Sequence, residues 1–179
     1  DELQKIVDGK CPMDKLIISK SLRSHYKNPQ QIAHKVLADR IGARDPGNKP
    51  RNGDRIPFVY VVNENKKALQ GDRIETPEFI KNKKCKIDYA HYISNQIMKP
   101  LLQLFSLVLD DLPGFKNKPF KKKRFYATID SYAGELDEVK FQKKTEQLKN
   151  KEVQKLLFDK YLKNCENQKP SKLANCKKL

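Results

Sequence analysis

The stretch from Asp88 to about Asp110 sets Tyr89, Tyr92, Ile93, Ile97, Leu101, Leu104, Phe105 and Val108 at helical spacing, with Asp88 placed to cap its start. A chain whose longest apolar stripe has this period folds around helices. Pro100 inside the stripe predicts a kink, because its ring removes the hydrogen bond to Gln96 and crowds that carbonyl. The other patterns are shorter. Leu16 to Ser19 predicts a strand after Pro12, and Ile56 to Val62 predicts a second strand whose leading proline suits a strand start or an edge. Asn28 followed by Pro29 predicts a helix over 29–42. Asp45 to Asp54 is dense in turn residues and predicts a loop, as does the stretch between the second strand and Asp88. Within that second stretch Gly71-Asp72-Arg73-Ile74 echoes Gly53-Asp54-Arg55-Ile56, too short a likeness to make a structural repeat.

After Leu112-Pro113-Gly114 the character changes to FKNKPFKKKRFYATIDSYAG, which predicts a basic-aromatic loop. A polar helix over about 136–164 follows, and the last dozen residues predict a frayed tail. The expected fold class is α+β, mainly helical, with short strands and a basic helical C-terminal extension.

Charge narrows the functions. The 179 residues hold 38 Lys and Arg against 22 Asp and Glu, a formal net charge of +16. From Pro113 onward 18 basic residues face 8 acidic ones, so the last third is the more cationic. Cations placed against a polyanion release its condensed counterions, which makes nucleic acid the default partner. No apolar run approaches the roughly 18 residues of a membrane span, and no aromatic-faced amphipathic helix accompanies the basic runs. The opening DELQKIVDGK has neither a leader's basic head and apolar core nor an initiator Met, and the chain reads as a piece of something longer. A monomer is the default expectation.

Cys11, Cys85, Cys165 and Cys176 form no C-x-x-C pair, so a zinc finger is excluded, and a reducing compartment with cysteines as small apolar fillers is expected. Catalytic constellations are missing too. Asp110-Asp111 predicts a helix-end charge pair rather than a two-metal site, since neighbours in a helix diverge by about 100°. His25, His34 and His91 suit phosphate contacts or structural hydrogen bonds better than catalysis. No G-x-x-x-x-G-K phosphate loop occurs. The residues alone describe a binding module.

Five segments, in order, carry a resemblance. They are Leu16 to Leu22; Tyr26-Lys27 with Ala33-His34 and Ala38-Asp39-Arg40; Arg44-Asp45-Pro46-Gly47; Gly53 to Val59; and Ile87-Asp88-Tyr89 with Tyr92, Asn95-Gln96 and Lys99 to Leu102. Together they resemble the thumb subdomain of family B replicative DNA polymerases, over about residues 10–112. Gly71 to Ile80 and Asn95 to Pro100 are worded most like the polymerases of large nucleocytoplasmic DNA viruses.

The resemblance implies the end of the palm or a linker over 1–14, a thumb over 15–112 and a basic extension over 113–179. It implies a parent DNA-directed DNA polymerase, a nucleotidyltransferase using Mg2+, whose catalytic carboxylates lie outside this chain; no polymerase activity and no cofactor are expected of the chain alone. Its partners would be duplex primer-template DNA and the parent's palm, and its setting viral replication sites in the cytoplasm or the nucleus.

The residues with chemistry suited to gripping backbones are Lys20, Ser21 and Arg23 after the first strand, and Tyr26, Lys27 and Asn28 at the turn. His34 serves either a phosphate or a buried hydrogen bond. Arg44, Arg51 and Arg55 flank the glycine loop, although Asp54 offers Arg55 a local ion pair. Lys99 faces DNA or a neighbouring subdomain, and Lys122, Lys123 and Arg124 form a basic run near DNA or a solvated one. Tyr89 and Tyr92 suit core packing. Gln154 to Tyr161 is loosely like a sliding-clamp docking peptide, which makes a processivity factor a further candidate partner. Two other readings stay open: a free-standing basic nucleic-acid-binding protein, and a docking module for such a factor.

Overall fold

The computed structural model describes residues 2–65 and 67–167. The chain divides into two compact units, one reaching Tyr92 and one running onward from Ile93. Helix dominates both, as the mainly helical α+β expectation requires.

The first unit opens with helix α1 (Glu2–Val7) and a 3-10 turn (Met13–Leu16), then strand β1 (Ile18–Ser21). The strand begins two residues later than expected, because the turn after Pro12 consumes Met13 to Leu16. The helix expected over 29–42 is also displaced. Pro29–Gln31 form only a 3-10 turn, Ile32 stands in extended conformation (φ −94°, ψ 103°), and α2 runs Ala33–Arg44. Asn28 therefore caps nothing with its side chain.

Strand β2 (Arg55–Tyr60) pairs antiparallel with β1, from Ile18 opposite Phe58 to Ser21 opposite Arg55, and with the two-residue β3 (Ile74–Glu75) on its other side. The β3 pairing reaches only Val59 and Tyr60, so Pro57 meets no partner on that side and removes no ladder bond. Ile56, Phe58, Val59 and Tyr60 are buried with Leu16, Leu22, Leu37, Ala38, Ile74 and Ile80. Burying each such large apolar side chain is worth about 1.5–3 kcal/mol, so this cluster holds the sheet to α2.

The stretch expected to be loop hides helix α3 (Pro77–Lys83), whose Thr76 hydroxyl accepts from the Phe79 N–H at 3.3 Å with Pro77 opening the first turn. It ends at Lys84 in left-handed conformation. The two glycines of the echoed tetrapeptide stand in unlike places. Gly53 has φ +89° with open space around it, whereas a Cβ on Gly71 would lie 2.7 Å from Val36 of α2.

Helix α4 (Tyr89–His91) starts as expected at Asp88, which accepts from the His91 N–H at 2.9 Å. It leads into a π-helical stretch, Tyr92–Met98, and then α5 (Lys99–Phe105). The expected disturbance at Pro100 is thus a change of helical register just before it. The π stretch ends at Met98, and Pro100 falls in the first turn of α5, where the missing N–H is one of those left without an intrahelical partner.

In the second unit Leu109, Leu112, Phe115 and Val153 form the core, with Leu102, Phe105, Phe125, Tyr126, Leu156 and Leu157 against them. The basic-aromatic stretch expected to be loop is largely helix α6 (Pro119–Asp130). Its like charges oppose helix formation, but Phe125 stacks edge-on against Phe115 (centroids 5.4 Å apart) and Ile129 is buried, which fixes the turn of chain as helix. The long polar helix is α7 (Glu138–Leu157), capped by Asp137, and it breaks at Phe158 before α8 (Asp159–Asn167). The tail expected to fray lies, from residue 168 on, outside the described residues. Cys165 is buried and Cys11 half-buried, as fillers would be, but Cys85 is disulfide-bonded and departs from that expectation.

Candidate nucleic-acid interface

At one end of the sheet the close of β1 and the opening of β2 lie side by side, because Ser21 is paired with Arg55. Two further bonds extend the ladder: the Leu22 N–H donates to Asp54 O at 2.9 Å, and the Gly53 N–H to Leu22 O at 3.0 Å. The left-handed φ of Gly53 lets the loop turn back in time to make them. Asp54 accepts from the Arg51 N–H at 2.7 Å, so it fixes the turn through backbone rather than by pairing with Arg55. The Arg55 guanidinium reaches Ser19 instead, donating to its Oγ and its carbonyl, both at 3.2 Å. Sequence positions 36 apart thereby share one surface.

The chain leaving β1 is braced to α2 by two aromatic side chains. The Tyr26 hydroxyl accepts from the Arg23 N–H at 2.8 Å and stands 3.1 Å from His34 Nε2, with the two rings edge-to-face. With the Arg23 N–H donating to its oxygen, the hydroxyl has its own proton for the imidazole. Burial holds the His34 pKa below its ordinary value; Lys20 and Arg23 push it the same way, against a backbone hydrogen bond from the ring to Ser21. The ring is the neutral partner of Tyr26 at neutral pH, which is the structural one of its two expected roles. Lys20, Ser21, Arg23, Lys27, Asn28 and Arg51 are all exposed around this brace. Among the described residues Lys20, Arg23, Lys27 and Arg51 form no ion pair. Unneutralised cations on a pinned backbone suit a polyanion, since ordering them costs little on binding.

Arg44 is not part of this group. It grips Glu75 with both terminal nitrogens, at 2.9 and 3.1 Å, and its guanidinium lies 3.9 Å from the centre of the Phe79 ring. Arg40 approaches the same carboxylate at 3.3 Å and donates to the carbonyls of Gly71 and Ile74, each at 2.8 Å. Glu75 is only 6% exposed, so this is a buried lock between α2 and the β3–α3 corner. Neither Arg40 nor Glu75 carried a functional expectation; the partners lie far apart in sequence, and nothing local announces them.

The later cations fall into two kinds. Lys122 pairs with Asp110 at 2.8 Å, and Lys121 with Glu152, whereas Lys123 and Arg124 face solvent. Asp110 also accepts from the Tyr126 hydroxyl at 2.8 Å. Lys122 draws the Asp110 carboxyl below its ordinary range, while burial and that carboxylate push Tyr126 up to about 12. Lys99 opens α5 and is exposed.

Tyr92 is a core group, as expected. Its hydroxyl donates to Leu16 O at 2.7 Å and accepts from the Tyr60 N–H at 3.0 Å, and burial lifts its pKa to about 12. Within the docking-like segment Phe158 is 1% exposed, and Leu156 and Leu157 pack against the second unit's core. Among the described residues no three His, Cys, Asp or Glu side chains gather as a metal site would need.

Known proteins resemble the chain along the same span. The family model described as DNA polymerase family B matches residues 1–108. A DNA polymerase of Pyramimonas orientalis virus is 45% identical over 172 residues, covering 94% of this chain and 14% of that protein. A DNA polymerase of Acanthamoeba polyphaga mimivirus is 52% identical over 123 residues, 65% of this chain and 7% of that protein. The DNA polymerase delta catalytic subunit of Caenorhabditis elegans is 37% identical over 110 residues, 61% of this chain and 10% of that protein. The chain thus spans about a tenth of the length of these relatives. With the family model covering more than half of its residues, the chain belongs to DNA polymerase family B.

Proposed function

We propose that residues 15–112 are the thumb of a replicative DNA-directed DNA polymerase and that the sheet-end surface grips primer-template duplex by its sugar-phosphate backbones. Residues 1–14 would then be the end of the palm or a linker, and 113–179 a basic extension. The observation that carries the reading is the set of exposed, unpaired cations Lys20, Arg23, Lys27 and Arg51, joined by Arg55, on a backbone fixed by the Tyr26–His34 brace. Such contacts position a duplex without reading its sequence. Nucleotidyl transfer and the Mg2+ it uses belong, in this reading, to the parent polymerase. The thumb contributes grip, and so processivity, wherever that parent replicates DNA.

The test is an anisotropy titration of the chain with primed duplex, single-stranded DNA and single-stranded RNA at several salt concentrations. Duplex should bind most tightly, with an affinity that falls steeply as salt rises. Charge reversal at Lys20, Lys27 or Arg55 should weaken it and lower the salt slope by about one unit for each phosphate no longer neutralised. Absence of salt-sensitive duplex binding overturns the proposal, and equal affinity for all three ligands reduces the chain to a polycation.

A further inference from the structure

Four consecutive cations, Lys121 to Arg124, look like one basic run, but helix α6 sorts them. Lys121 and Lys122 turn toward the rest of their unit, where Glu152 and Asp110 neutralise them, on the side that also carries Phe125, Tyr126 and the buried Ile129. The opposite side holds Phe120, Lys123, Arg124, Ala127 and Thr128, spaced i, i+3, i+4, i+7 and i+8. Phe120, Lys123, Arg124 and Thr128 are exposed there. Phe120 is 89% exposed, and among the described residues no large apolar side chain is more open to solvent.

An aromatic ring with two unneutralised cations one turn away is a specific combination. Side chains at i+3 and i+4 start about 5–6 Å from the ring's own Cβ, and Lys and Arg reach further still. A nucleobase stacked on Phe120 would therefore have its flanking phosphates within range of Lys123 and Arg124. Exposed Lys118, just before the helix, adds a third cation, and the nearest acid along this face is Asp130, about 9 Å beyond Arg124 along the axis. Within a duplex the bases stack on one another and offer no free face, whereas unpaired bases do.

We infer that the outer face of α6 is a binding site for single-stranded nucleic acid, in which Phe120 stacks an unpaired base and Lys123 and Arg124 hold its phosphates. The inference rests on the nucleic-acid-binding reading above, but concerns a different surface and a different form of the ligand. The site is sequence-tolerant, because every base has a face to stack.

The experiment measures the 179-residue chain and its Phe120→Ala, Phe120→Leu and Lys123→Glu/Arg124→Glu variants against a single-stranded oligonucleotide, a blunt duplex and anionic phospholipid vesicles. Phe120→Ala should weaken single-strand binding about five- to hundredfold, leave duplex binding within about threefold, and leave the salt slope unchanged, because no charge is lost. The double charge reversal should weaken single-strand binding and also reduce the slope. Phe120→Leu keeps apolar bulk without an aromatic face, so it should behave like the alanine variant. Phe120 is exposed and the chain should fold normally, which circular dichroism checks. Unchanged single-strand affinity in Phe120→Ala overturns the site while leaving the duplex grip intact. Equal losses on duplex and single strand also overturn it, as does vesicle binding that depends on Phe120 while oligonucleotide binding does not. A chain that binds neither oligonucleotide overturns this site and the duplex reading together.

Discussion

Each unit buries one glutamate among cations, and the two are built differently. Glu75 in the first unit meets a forked Arg44 at two points and Arg40 at a third, with side chains 29% and 22% exposed and an aromatic ring beneath Arg44. Glu152 in the second meets Lys121 and, at 3.9 Å, Lys155, whose side chains are 38% and 55% exposed. A planar guanidinium fixes direction as well as distance, while an ammonium on a flexible stem can leave its partner for water. The first arrangement holds α2 against β3 and α3 in one geometry. The second lets charge enter a helix face that the core needs, without fixing anything so tightly. Arginines thus lock the fold where they fork onto a buried carboxylate, lysines only neutralise one, and Lys20, Arg23, Lys27 and Arg51 face solvent with no ion pair among the described residues.

That contrast can be broken directly. Glu75→Ala leaves two guanidiniums without their carboxylate and should cost about 3–5 kcal/mol in urea unfolding, whereas Glu152→Ala lets its lysines turn to solvent and should cost about 1 kcal/mol or less. Similar losses at the two sites would show that the fork gives no advantage. A middle-sized effect is expected from Tyr26→Phe, which strips the Arg23 N–H of its acceptor and His34 of its donor; about 1–2 kcal/mol should be lost, with weaker duplex binding because the loop carrying Arg23 and Lys27 is no longer pinned.

The smallest effect is one of pH. Because the fold holds His34 below the unfolded value of 6.5, the unfolded chain binds the proton first on acidification. The stability that the neutral ring contributes is complete above that value and declines as pH falls from 6.5 toward the folded pKa. Comparing urea midpoints of the unaltered chain and His34→Gln between about pH 7.5 and 5.5 isolates it. The unaltered chain should lose more stability on acidification than the variant, and parallel curves would remove the imidazole from the brace.

Some of this was open to reading from the residues alone. Asp88 announced its helix by its capping chemistry and β2 by its run of β-branched and aromatic residues, and a buried hydrogen bond was one of the two roles expected of His34, although its partner Tyr26 was expected at phosphate. Thr76-Pro77 carried a start signal as good as that of Asp88, but the helix after it has seven residues, too few to show a period. Helix α6 was hidden because its sequence sets four cations in a row, and only the arrival of Asp110 and Glu152 from elsewhere makes a helical face of them tolerable. Lock and interface looked alike for the same reason: Arg44 and Arg51 have one chemistry, and only the chain's long-range closure decides which of them meets a carboxylate.

Handedness separates the two glycines of the echoed tetrapeptide. Gly53 is required for its backbone angle, in a place with room to spare, so a mirror-image alanine, which prefers positive φ, should fit there and even stiffen the loop against unfolding. At Gly71 an ordinary alanine fails for want of space, since its methyl group would collide with Val36, and the neighbouring helix would have to withdraw to admit it. One position selects for chirality and the other for volume. Four identical letters, Gly-Asp-Arg-Ile, thus tolerate opposite chemical edits, and a synthetic chain carrying D-alanine at position 53 would tell the two requirements apart.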